Sequence, residues 1–134
     1  AGAADTFAWC RSNDIDVALT TGLDRELAGL LVQRLGWKER VDTLVCNDDV
    51  AAGRPAPDLI LTAMQRLGHV DVARVASVGD TVSDLRAGAN AGIGINIGVL
   101  SGAHSREQLL ESPHTALIAS VAHLPALLQS VDMT

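Results

Sequence analysis

Residues 74–84 read Arg-Val-Ala-Ser-Val-Gly-Asp-Thr-Val-Ser-Asp, an apolar run that stops at a glycine and is followed by two carboxylates four positions apart. Small and β-branched residues closed by Gly79 predict a strand over Arg74 to Val78 that turns at once into a helix from Val82 to Ala91. The unit recurs on both sides. Upstream, residues 3–13 form a short helix with Phe7 and Cys10 on one side. Ile15 to Thr20 form a strand that turns at Gly22. Asp24 caps a helix with apolar positions Leu27, Leu30, Leu31 and Leu35, closed by Gly36, and Thr43 to Cys46 form the next strand. Pro55 and Pro57 punctuate a loop, and Pro57-Asp58 opens a helix through Ile60, Leu61, Met64 and Leu67 to Gly68. Downstream, Ile93 to Val99 is a strand in which Gly and Asn alternate with Ile and Val. A polar loop, a short helix, a strand at Ala116 to Ile118 and a last helix with Val121, Leu124, Leu127 and Leu128 complete the chain. Strands joined by helices of this length predict parallel pairing with right-handed crossovers, hence a three-layer, Rossmann-like α/β fold.

The whole chain fits that architecture as one unit. It has 134 residues, 48% hydrophobic and 19% charged, with no internal repeat or linker, and a net charge of −6. With Phe7, Trp9 and Trp37 as its aromatics, 2% of the chain, it lacks the stacking platforms of single-strand nucleic-acid binders, and its negative balance disfavours a phosphate-backbone partner. No apolar stretch reaches the roughly 18 residues a membrane helix needs, and the N-terminus carries no basic start with an apolar run, so the expected location is cytoplasmic. Cys10 and Cys46 lie far apart and read as reduced structural thiols, while His69, His104, His114 and His123 form no ligand pattern.

In parallel α/β sheets, ligands bind beyond the carboxyl ends of the strands. Those ends carry Thr20-Thr21-Gly22, Asp48-Asp49-Val50-Ala51-Ala52-Gly53-Arg54-Pro55, and Gly79-Asp80-Thr81-Val82-Ser83-Asp84. A hydroxyl, a glycine amide and a guanidinium on one rim suit a phosphoryl group, and Asp80 with Asp84 suits a hard cation such as Mg2+. Taken singly, each has a plainer reading: a strand end, a helix cap, a solvated charge beside a proline turn. Their order on successive strands favours the functional one.

That order resembles the haloacid dehalogenase superfamily of phosphohydrolases, and more narrowly its phosphonatase-like branch; Gly102-Ala103-His104-Ser105-Arg106-Glu107 and Ser112-Pro113-His114-Thr115 share the likeness. The resemblance implies that Thr21 bonds the phosphoryl oxygens with the Gly22 amide, that Arg54 neutralises the transferring group, that Asp80 is the main Mg2+ ligand, and that Asp84 is a second ligand or an outer orienter. It also implies a small phosphorylated substrate. The nucleophilic Asp of the family's first strand has no counterpart: Asp14-Ile15-Asp16 precedes its strand, so it lies on the edge opposite Thr21. The cap is missing too, so residues 1–134 read as a partial core bearing the second to fourth motifs, the C-terminal part of a longer enzyme and inactive alone. Lys38, the only lysine, reads as a solvated charge rather than a Schiff-base former. The alternative is a non-catalytic α/β module that binds a phosphorylated ligand or a partner. In the family the nucleophile strand lies between the strand ending at Thr21 and the one ending at Asp80. Its absence predicts a gap in the sheet, filled by a separate fragment, closed by rearrangement, or covered by self-association through unpaired edges.

Overall fold

Alternation of helix and strand along the chain becomes parallel pairing in space. The computed structural model describes residues 2–100, 102 and 104–129. Their order is α1 (Ala3–Ser12), β1 (Ala18–Thr20), α2 (Arg25–Leu35), β2 (Thr43–Val45), α3 (Asp58–Leu67), β3 (Ala76–Gly79), α4 (Val82–Ala91), β4 (Ile95–Val99), α5 (Arg106–Leu110), β5 (Ala116–Ile118) and α6 (Leu124–Gln129). Short 3-10 turns stand at Asn47–Asp49, Val72–Arg74 and Val121–His123. β1 pairs with β2 in one sheet; β3, β4 and β5 form another, and all three pairings are parallel. The α/β class expected from the sequence is the class observed.

β4 is buried at every position, as a central parallel strand covered on both faces should be. Ile95 and Ile97 point to a cluster with Leu124 and Leu128 of α6, against which Trp9 of α1 also packs. The alternate residues, Asn96 and Gly98, face α4 and β5. A Cβ added at Gly88 would overlap the Asn96 amide, and one at Gly98 would meet Leu117 at 2.7 Å. Asn96 is therefore a polar group inside a packed layer. Its Nδ2 donates to the carbonyls of Leu85 (2.7 Å) and Pro113 (3.2 Å), and its backbone N–H donates to Thr115 Oγ1 (2.8 Å).

α3 joins the two sheets. Leu59 and Ala63 pack with Val45 of β2, whereas Ile60 and Met64, one position further round the helix, pack with Ala87 of α4. Phe7 of α1 meets Trp37, which follows α2, edge to face at 5.2 Å. A cleft of about 760 Å3 runs between the sheets, with Trp37 on one side and Val78, Gly79, Asp80, Val99 and Gly102 on the other. The expected interruption is thus present: β1 and β3 do not pair with each other.

Several boundaries differ from the sequence expectation, each for a local reason. β1 begins at Ala18 rather than Ile15, because the Val17 N–H donates to the Asp42 carboxylate at 2.7 Å and the Asp42 N–H returns to the Val17 carbonyl. β4 begins at Ile95 rather than Ile93, because the Ile93 N–H closes the end of α4 on Gly88 and the Gly94 N–H goes to Val72. β3 begins at Ala76, since Asp71 caps a 3-10 turn that takes up Arg74. In α2 the leucines keep helical spacing, but Leu27, Leu30, Leu31 and Leu35 remain 48–50% exposed while Ala28 and Val32 are buried.

Candidate active site

The site is assembled at the carboxyl ends of β1 and β3. Asp84 organises it. Thr81 caps α4 by accepting the Asp84 N–H at 3.2 Å, and the Asp84 carboxylate reaches back in a capping box. Its Oδ2 accepts from the backbone N–H of Asp80 (3.1 Å), the N–H of Thr81 (3.1 Å) and the Thr81 hydroxyl (2.9 Å). Its Oδ1 accepts from Arg54 Nε at 2.8 Å. The side chain can lie over the strand end because residue 79 is glycine; a Cβ there would overlap Asp84. Both oxygens of Asp84 are thus engaged by protein donors.

Arg54, from the loop between β2 and α3, bonds both the end of β1 and Asp84 of α4. Its Nη2 donates to the Thr20 carbonyl (2.9 Å) and to Thr20 Oγ1 (2.8 Å). With Nε on Asp84, the guanidinium is fixed at two edges, and Nη1 carries its remaining donors. A single side chain from the loop before α3 thus links the end of β1 to the start of α4. The sequence pointed to Thr21 alone in this strand end and missed Thr20. The signal was there in the doubled threonine, since strand alternation sends adjacent side chains to opposite faces.

Thr21 extends the β1 ladder through its N–H to the Val45 carbonyl (3.0 Å), and its hydroxyl accepts the Leu23 N–H at 3.1 Å. The hydroxyl proton of Thr21 remains available to an acceptor on the rim. Gly22 follows in an exposed turn where an added Cβ would meet nothing within 4 Å, so the glycine keeps this flank open rather than relieving a clash. Asp80, half-buried, lines the cleft beside Val78 and Gly79.

The acidic residues at the end of β2 serve another purpose. Asp48 accepts the Arg25 N–H at 3.3 Å, and Asp49 pairs with the guanidinium groups of Arg25 and Arg66 while accepting the Cys46 N–H at 2.8 Å. The Cys46 backbone bond, helped by Arg25 and Arg66, holds the Asp49 carboxyl below its ordinary value of 3.8 against an opposing effect of burial. This network ties α2, β2 and α3 together. Asp14-Ile15-Asp16 lies before β1, as expected, and Asp16 pairs with His69 at 2.7 Å. Burial pushes the Cys10 and Cys46 thiols up, and both are free. Among the described residues no group of three or more His, Cys, Asp and Glu could hold a metal ion, and no helix is long and apolar enough to cross a membrane.

Residues 1–92 match the family model of haloacid dehalogenase-like hydrolases. The chain belongs to that family of hydrolases. Over 127 residues it is 30% identical to the phosphonoacetaldehyde hydrolase of Latilactobacillus sakei, a match covering 91% of this chain and 48% of that protein. The fold matches that of a hydrolase from Pseudomonas syringae with a TM-score of 0.86 at 21% identity, over 97% of this chain and 61% of the other. It matches CbbY from Rhodobacter sphaeroides, solved in complex with phosphate, with a TM-score of 0.78 at 27% identity, over 92% and 54%. The chain spans about half the length of the curated relatives it matches, 38% to 58% for the first few.

Proposed function

We propose that this chain carries the phosphate- and cation-binding part of a Mg2+-dependent, phosphonatase-like phosphohydrolase acting on a small phosphorylated substrate. The observation that carries this reading is Arg54, held between Thr20 of β1 and Asp84 of α4 on the rim where Asp80 stands. A guanidinium locked by protein acceptors presents its remaining donors without rearranging as negative charge develops on a transferring phosphoryl group. Nη1 of Arg54, the Thr21 hydroxyl and the Gly22 amide are the donors assigned to that group. The phosphate complex of CbbY is in keeping with a phosphoryl ligand in a fold of this kind.

The donor set fits Mg2+ in one form. A hard cation of this size is held by one or two carboxylates with phosphate and water, and Asp80, which lines the cleft, is the carboxylate assigned to it. Asp84 then acts from outside the coordination sphere, aligning Arg54 and the Asp80 backbone. When bound, Mg2+ would neutralise phosphoryl charge and orient the group. With Asp80 assigned to the cation, Asp84 bonded through both oxygens, and Asp48 and Asp49 tied to Arg25 and Arg66, no carboxylate on this rim is assigned as the nucleophile. The expected behaviour of the 134-residue chain is binding without turnover.

Phosphorus NMR titration with inorganic phosphate, with and without Mg2+, tests the reading. Mg2+-dependent binding should be lost in Asp80→Asn and weakened in Arg54→Ala, and p-nitrophenyl phosphate should not be hydrolysed. Binding indifferent to both substitutions would remove the site assignment. Mg2+-dependent hydrolysis abolished by Asp80→Asn would instead mean that the chain supplies its own nucleophile.

A further inference from the structure

Asp80 is flanked by a second element that the motif pattern does not include. Gly102, beyond the end of β4, stands so near that an added Cβ would overlap the Asp80 carboxylate and its Cβ. Two positions on, His104 Nδ1 accepts the backbone N–H of Val82 at 3.0 Å. Val82 is the first residue of α4, and its N–H is one of the amides that a helix start leaves without an intrahelical partner. Thr81 and Asp84 use each other and the N–H groups of Asp80, Thr81 and Asp84; the Val82 N–H is left for the imidazole. An acceptor Nδ1 places the ring proton of neutral His104 on Nε2.

From these contacts we propose that Gly102 and His104 are positioning residues for the Asp80 carboxylate, with Gly102 setting the space in which the carboxylate lies and His104 holding the start of α4, two residues beyond Asp80. This rests on the reading of Asp80 as the cation ligand. The two residues follow the carboxyl end of β4, the strand paired with β3, so the Asp80 carboxylate is bordered by a neighbouring strand end as well as by its own turn. Any side chain at 102 forces the Asp80 carboxylate aside. Loss of the His104 acceptor leaves the Val82 N–H unpaired and frees the start of α4 that follows Asp80.

Mn2+ binding to the 134-residue chain, followed by the electron paramagnetic resonance signal of free Mn2+, provides the test. Gly102→Ala and His104→Ala should each weaken Mn2+ binding about tenfold or more, the usual effect of removing a residue that orients a metal ligand. His104→Asn, whose Oδ1 can accept the same N–H, should restore most of the affinity. Exchange of the Val82 amide hydrogen should quicken in His104→Ala and remain slow in His104→Asn, with or without metal. If Asp80→Asn abolishes binding while Gly102→Ala and His104→Ala bind like the unaltered chain, the positioning role is wrong and Asp80 stands. If Asp80→Asn binds Mn2+ like the unaltered chain, the ligand assignment fails, and the positioning role with it. Equal loss in His104→Ala and His104→Asn would show that the accepted N–H is not the anchor.

Discussion

Asp84 accepts from Asp80, Thr81 and Arg54 with both oxygens, and little of its side chain is exposed. Hydrogen bonds to a charged group contribute more than neutral ones, on the order of 1.5–3 kcal/mol each when a partner is lost. Asp84→Asn retains the shape but not the charge, and should lower unfolding stability by about 2 kcal/mol in urea titration. It should also loosen Arg54, so phosphate affinity should fall even though Asp84 is not assigned to the phosphoryl group. Asn96 poses the opposite question. Its Oδ1 is a buried acceptor without a partner among the described residues, set against Gly88. Gly88→Ala must displace that amide and should destabilise by about 1–3 kcal/mol despite the better helix propensity of alanine. Cys10 and Cys46, buried with raised pKa values, should not react with a thiol reagent until the chain unfolds.

At the level of elements, helix ends were more legible than strand starts. α4 runs from Val82 to Ala91, as expected, because Thr81 and Asp84 cap its start and Gly92, with φ +73°, closes its end. Strands lack such local marks, and their limits depend on which partner takes each N–H. Val17 and Ile93 carry β-branched side chains yet lie outside the ladders, their N–H groups claimed by Asp42 and Gly88. α3 shows what a sequence stripe leaves open. Ile60 and Met64 were expected on its apolar face; Leu59 and Ala63 form the adjoining stripe that packs on β2. Leu59→Ala and Met64→Ala should each cost about 2–5 kcal/mol in denaturant unfolding, because each empties a different interface of the same helix. The Asp49 network adds a pH dependence. Its folded pKa lies below 3.8, so its stabilisation is complete above that value and is lost as pH falls through the folded one. Stability should fall on acidification below about pH 4, less steeply in Asp49→Asn than in the unaltered chain, as read from the urea midpoint across pH.

The whole molecule is divided by a cleft, and α3, Arg54 and the Phe7–Trp37 contact link its two halves. The facing edges of β1 and β3 are not joined to each other, and the leucines of α2 stay half exposed. Unpaired parallel edges and an apolar helix face both promote association. Sedimentation velocity over a range of concentrations should therefore register reversible self-association; a single monomeric species throughout would contradict it.

The sequence by itself determined the element types and the parallel pairing, and it nominated Thr21, Gly22, Arg54, Asp80 and Asp84 as candidates, because periodicity, caps and strand-end chemistry are local signals. Tertiary structure decided which groups those residues touch. Thr20 rather than Thr21 meets Arg54, Asp84 is consumed by backbone donors, and Gly102 and His104 border Asp80 and the start of its helix. None of these follows from spacing along the chain. Each depends on which strand ends lie side by side, and that is set by packing of the helices across the sheets.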